Sequence, residues 1–185
     1  KGYQLQLSGG FHARLGILSL QMQPEFVHAR NPDFPGFSAS HSDTVWSRYF
    51  YYANNTDLPE KYGKRPFTKL LPGQSALRIH YKKLSLSLST ENLWWGPGTR
   101  NSLLMSNTAA GFGHLGFNTT APVKTGIGSF EWQVIAGLLK NSGIVPADTS
   151  RRSNGVLLYQ PKPESDRYIN AMVLSWLPKW TPGLH

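Results

Sequence analysis

Residues 89–107 read STENLWWGPGTRNSLLMSN, and they set two adjacent tryptophans beside a glutamate, an arginine and several amides. An indole offers a flat apolar face on which the C–H face of a sugar ring can stack. Amides and carboxylates beside it suit sugar hydroxyls. The candidate contacts are therefore Glu91, Asn92, Trp94, Trp95, Arg100, Asn101 and Asn107. Arg100 has the planar fork that clamps an acidic sugar bidentately, or it pairs with Glu91 or Glu131. The two tryptophans have a second reading, as an aromatic girdle at lipid headgroup level. Adjacent strand residues point to opposite faces, so one indole can serve each role. Pro97, between Gly96 and Gly98, fixes a turn without needing a ladder donor. The polar residues around it can equally satisfy loop backbone.

Other chemistries find less support. The histidines at 12, 28, 41, 80, 114 and 185 show no HExxH or comparable metal spacing. Asp33, Asp43, Asp57 and Asp148 fall in expected loops and suit calcium by type, yet no EF-hand register exists. GFGHLG at 111–116 satisfies G-x-G-x-x-G, but a strand rather than a helix follows it, so the phosphate-cradling mechanism fails. Ser75 lacks the second glycine of a nucleophile elbow. Glu91 and Glu131 form a glycosidase pair only at a suitable separation. The expectation is a binding protein and not an enzyme, with no metal and no cofactor.

The elements that must position these groups read as strands between Gly, Pro and Asn punctuation. In LRIHYKKLSLSLST, residues 77–90, Leu77, Ile79 and Tyr81 alternate with Arg78 and His80. Beyond Lys82-Lys83, Leu84, Leu86 and Leu88 alternate with Ser85, Ser87 and Ser89, which predicts a hairpin. Further strands are predicted at 3–8, 11–23, 113–119, 128–139 and 168–177, about seven in all. Short links at Gly9-Gly10, Lys82-Lys83 and 121–127 alternate with long ones at 24–73, 92–112 and 140–167. Short turns at one end and long loops at the other characterise outer-membrane barrels. The predicted fold is thus all-β, an antiparallel transmembrane outer-membrane β-barrel treated as one domain over 1–185. Its lumen is lined by Arg78, His80, Ser85, Ser87, Ser89, Glu91, His114, Asn118, Glu131 and Gln133, which adds His114 and Glu131 to the carbohydrate contacts. Seven strands fall short of the eight that closure requires. The chain also opens in strand-like sequence and stops at TPGLH, so a segment of a longer barrel is expected.

Bulk properties agree. The 185 residues have a mean hydropathy of -0.35 and no cysteine, and the apolar runs are far short of the ~20 residues of a spanning helix. Nineteen Lys and Arg against ten Asp and Glu give a net charge of +9. That balance attracts polyanions, but the charges are dispersed, and no nucleic-acid partner is expected.

The stretch STENLWWGPGTRNSLLMSN, followed by GFGHLGFNTTAPVKTGIGSFEWQVIAG, resembles capsule-assembly outer-membrane proteins of the Wzi type, in the form found in Bacteroidetes. LSLQMQPEFVHARNPDF, DLPEKYG, LLPGQSALRIHY and PKWTPG extend the resemblance over nearly the whole chain. It implies a large outer-membrane barrel that acts as a lectin. Such a barrel holds capsular polysaccharide at the bacterial cell surface, with outer-membrane lipid and lipopolysaccharide around it. It also implies that the remaining barrel strands are missing from this chain. The alternatives are a porin conducting small solutes or oligosaccharides, an outer-membrane hydrolase using Ser75 or Ser106 with His80 or His114, and a soluble β-sandwich lectin.

Overall fold

The computed structural model describes residues 2–33, 36–57, 60, 65–107, 109–162 and 165–180. His185, the TPGLH turn and most of DLPEKYG lie outside the described residues. In chain order the elements are β1 (Gln4–Ser8), β2 (Phe11–Leu15), β3 (Leu18–Met22), β4 (Glu25–Ala29) and helix α1 (Asp43–Thr56). There follow β5 (Phe67–Leu71), β6 (Ala76–Tyr81), β7 (Leu84–Ser89), β8 (His114–Thr119), β9 (Val123–Thr125) and β10 (Gly128–Leu139). The last are β11 (Arg152–Ser153), β12 (Val156–Leu157) and β13 (Arg167–Pro178). The fold is mostly β, and no helix is long and apolar enough to cross a membrane. The chain divides into two compact units.

The larger unit is Leu7–Glu25, Leu70–Leu139 and Arg167–His185. It is an antiparallel meander, in the order β13-β10-β8-β7-β6-β3-β2, with β9 also on β10. The described sheet is open, with β2 and β13 at its edges. Its register puts Leu77 opposite Leu88, Ile79 opposite Leu86, Leu86 opposite Phe117 and Leu88 opposite Leu115. One face is therefore apolar across the whole sheet, and it is open. Leu86 is 52% exposed, Leu88 58% and Leu115 56%. The other face is polar, yet Ser19, Ser85, Ser87, Ser89 and His114 on it are buried. Near the start of β10, Phe130 stacks on Trp176, which meets Trp180 edge-on, in an aromatic group on the rim of this sheet.

The segment 11–23, predicted as one strand, is a hairpin. Leu15 pairs with Leu18 around Gly16-Ile17, and Gly16 holds φ 58 at the first central position, where type II′ turns favour glycine. That extra reversal changes the ends. Gly9-Gly10 does not sit with Lys82-Lys83: Phe11 pairs with Met22, so Gly10 lies against Met22, where the long links leave. Gly16-Ile17 takes its place beside the Lys82-Lys83 turn, since the His80 N–H donates to Ile17 O at 2.8 Å. The corrected pattern keeps all the short turns of the meander at one end. The long links 23–75, 90–113 and 140–166 leave from the other.

The smaller unit is Lys1–Gln6, Phe26–Lys69 and Lys140–Asp166. It holds α1, most of the three-stranded sheet β1-β4-β5, and the β11–β12 hairpin around Asn154-Gly155. Its core is Trp46 and Phe50, one helical turn apart, packed on Tyr159 with Phe37 and Tyr49 beside them. The sequence reading missed α1, because its aromatics are strand-prone and exposed Tyr51 and Tyr52 blur the period. Arg151 donates from Nε and Nη2 to Asp43 at 2.9 and 2.8 Å. Lys162 pairs with Asp57, which also accepts from the Ser142 backbone and hydroxyl at 2.7 Å each. Bonds from Ser153 and then Arg151 hold the Asp43 carboxyl below the ordinary 3.8. Burial pushes the Asp57 carboxyl up, but Lys162 and Ser142 hold it below 3.8 on balance.

Carboxyls depressed on folding stabilise above the unfolded value and lose that contribution as pH falls through the folded one. Acidification below about 3.8 should therefore loosen this unit, with an earlier onset of α1 melting in pH-dependent circular dichroism. Asp43→Asn should lower stability at neutral pH and flatten that acid limb; an unchanged limb would mean the Arg151 pair contributes nothing.

Candidate functional site

The long link after β7 folds back onto the polar face of the larger unit. Leu93 and Trp95 are buried against Ile135, which is 1% exposed on β10, with Met105, Phe112, Ala171 and Val173 around them. The Trp95 indole N–H donates to Gln133 Oε1 at 2.7 Å. The link then closes a tight loop in which the Leu103 N–H donates to Trp95 O at 2.9 Å. Gly96 sits at φ 124 in that loop, and a Cβ there would lie 2.7 Å from that of Leu103. Only glycine fits.

This inward fold creates a recess of about 520 Å³ on the polar face, walled by β3, β6, β7, β8 and β10 and by residues 91–94. Glu91 is its electrostatic centre. Its carboxylate pairs with Arg78 and accepts from Ser89 Oγ and Gln21 Nε2, both at 3.0 Å. Gln21 also donates to Gln74 O at 2.9 Å, and Gln74 Oε1 accepts the Asn92 N–H at 2.9 Å. The His114 Nδ1 lies 2.9 Å from Phe112 O, a carbonyl that can only accept, so this nitrogen donates and the ring is held by it. The lining is thus a set of oriented amides and hydroxyls around one neutralised carboxylate. A second recess of about 250 Å³ is lined by Trp94, Arg100, Asn101, Ser102, Leu104, Ser106 and Asn107.

Trp94 borders both recesses. It is 39% exposed, and its indole N–H is anchored on Gly98 O at 2.7 Å. The ring is held by its edge while part of its surface stays open.

The predicted residues separate as follows. Glu91, Asn92, Trp94 and His114 come together in the larger recess, and Arg100, Asn101 and Asn107 line the smaller one beside Trp94. Trp95 is only 5% exposed and serves the core, so it offers no open face to a ligand. Glu131 is exposed on β10 opposite Ser175 and lines neither recess, so it does not face Glu91. Arg78, and not Arg100, is the partner of Glu91. Gln21 and Gln74 were missed as site residues. Gln21 was legible from its polar parity in β3, whereas Gln74 enters from a loop and has no periodic signal. The Ser75 hydroxyl donates to Pro72 O, and His80 pairs with Ser19 Oγ at 2.8 Å. Among the described residues no group of three or more His, Asp or Glu is placed to hold a metal ion. Asp43 and Asp57 are in ion pairs, and Asp148 accepts from Ser150.

The family model for the capsule assembly protein Wzi matches residues 2–155, which include every strand of the recess and all nine predicted contacts. The chain belongs to the Wzi capsule assembly family. No curated protein and no solved structure matches it. Membership ties this Wzi-family chain to capsule assembly at the outer membrane, with capsular polysaccharide as the implied partner.

The two tryptophans should separate in mutagenesis. Trp95→Ala removes a buried ring and should cost ~3–5 kcal/mol, read as a lower unfolding midpoint. Trp94→Ala loses one exposed hydrogen bond and should cost about 1 kcal/mol. Equal losses would show that the two rings do not divide as described.

Proposed function

We propose that the chain is a segment of an outer-membrane β-barrel lectin, one that retains capsular polysaccharide at the bacterial surface by binding without chemistry. What supports the membrane reading is the sheet's inversion. Its large side chains are open on one face across seven strands, and its small polar ones are buried on the other. A water-soluble sandwich would bury the leucine face against a second sheet, which leaves the soluble lectin without support. Hydrocarbon is the solvent such a face suits, and the surrounding lipid includes lipopolysaccharide on the outer side.

The glycan reading rests on the Trp94 ring, anchored by Gly98 and set between two recesses lined with amides, hydroxyls and Arg100. Sugar rings would stack on its open part, with hydroxyls exchanging hydrogen bonds with Asn92, Asn101 and Asn107. Each contact is worth about 1 kcal/mol net, so retention of a polymer comes from many repeats engaging at once. The inward-folded link fills part of the polar face, which favours holding a polymer over conducting solutes. A porin would show steady conductance in planar bilayers, where this protein should be nearly silent.

Two measurements test these readings separately. Leu86→Arg should cost ~2–4 kcal/mol of folding in lipid vesicles, the penalty of a cation near the bilayer midplane. Unchanged insertion would remove the membrane placement. Trp94→Ala should weaken binding of the producing cell's capsular polysaccharide about tenfold, a loss of ~1.4 kcal/mol. Wild-type affinity in that variant would remove the stacking platform.

A further inference from the structure

Beside the recess, the polar face carries a second set of groups that shares only Arg78 with it. On β2, Arg14 lies directly opposite Ser19 of β3, and Ser19 lies directly opposite Arg78 of β6. His80 of β6 closes the group through Ser19 Oγ, and it lies within electrostatic reach of Arg14, Arg78 and His12. His12 is two residues along β2, opposite Gln21. Four nitrogen-bearing side chains thus share one face of three neighbouring strands. Arg14 and Arg78 lie on the two strands that flank β3, and both face the same surface across Ser19.

Among the described residues, the acids of the larger unit do not pair with Arg14. The acids of this unit are Glu25, Glu91 and Glu131. Glu91 is taken by Arg78, Glu25 accepts from Gln74, and Glu131 lies away on β10. Among the described residues Arg14 makes one long bond, from Nε to its own turn at Gly16 O, 3.4 Å. Its guanidinium and His12 are exposed. Directly opposite His80, the buried Ser85 hydroxyl has no hydrogen-bond partner among the described residues.

This row borders the recess. Gln21 and Arg78 line it, and they are the cross-strand neighbours of His12 and Ser19. A polymer lying in the recess and running toward β2 would pass over Arg14. We propose that Arg14, His12 and His80 form an anion subsite that takes the acidic group, a carboxylate or phosphate, of a charged glycan whose neighbouring sugar occupies the recess. A guanidinium fork matches either group bidentately. The proposal rests on the glycan reading above and adds to it that the bound polymer is acidic.

The test uses the protein as purified in detergent micelles, titrated with hexagalacturonate and with neutral maltohexaose, in the presence and absence of inorganic phosphate. Hexagalacturonate should bind more tightly than maltohexaose, and added salt should weaken only the acidic oligomer. Arg14→Gln combined with His12→Gln should lower its affinity about tenfold and leave maltohexaose unchanged. Arg14→Lys should recover part of that loss, since the charge returns without the fork. The double variant binding hexagalacturonate as the wild type does would overturn the proposal. So would a site that takes phosphate but prefers neither oligomer, because that is a free-anion site. Trp94→Ala distinguishes the two readings, since it should weaken both oligomers alike. If it weakens neither while the β2 variant weakens the acidic one, the stacking platform fails and the anion subsite stands.

Discussion

The structure depends on a two-residue alternation that runs the opposite way to that of a soluble β protein. Along β6, β7 and β8 the large apolar residues point outward and remain exposed, while serines, a glycine and a histidine are packed inside. Gly116 shows how tight the inner face is, since a Cβ there would sit 2.5 Å from Ser87 Oγ. Small polar residues on that side let strands and the returning link approach closely. Large apolar ones on the other side remain exposed, and the proposed membrane placement gives them a solvent that is not water. A one-residue slip of any strand would exchange the two faces, so the register is strongly specified.

The second constraint follows from the first. A polar inner face cannot hold a long loop by itself, so the link between β7 and β8 carries its own apolar anchor. Leu93 and Trp95 settle on Ile135, an apolar residue set among polar ones on the inner face of β10. Once that anchor is in place, the flanking residues have fixed positions: Glu91 on Arg78, Asn92 on Gln74 and Trp94 on Gly98. The adjacent pair of tryptophans in the sequence is thus a division of labour, with one ring anchoring the link and the other remaining at the surface of the recess.

Much of this was legible in the sequence because period-two patterns report faces directly. Leu84, Leu86 and Leu88 against Ser85, Ser87 and Ser89 gave both the hairpin and the polarity of its sides. What was not legible had identifiable causes. Gly16 inside a strand-like run hid a reversal, since Gly-Ile is a weaker turn signal than Asn-Gly. Asn154-Gly155 did carry that stronger signal and marks a real hairpin. Helix α1 buries only Trp46 and Phe50, too few positions to establish a 3.6-residue period. At the site, composition marked polar groups of which several come to line the two recesses, but pairing depends on three-dimensional register. Nothing local indicates that Arg78 and not Arg100 reaches Glu91, or that Glu131 lies apart.

The absence of cysteine from the chain makes the central claim directly measurable. Single cysteines at positions 84 to 89, each carrying a nitroxide in protein reconstituted into bilayers, report contact with lipid-soluble oxygen and with a water-soluble nickel complex. Oxygen should relax the labels at 84, 86 and 88 strongly and those at 85, 87 and 89 weakly, a two-residue oscillation along β7. A flat profile, or nickel reaching the leucine positions first, would mean that this face meets water or protein and that the sheet is not part of a membrane wall.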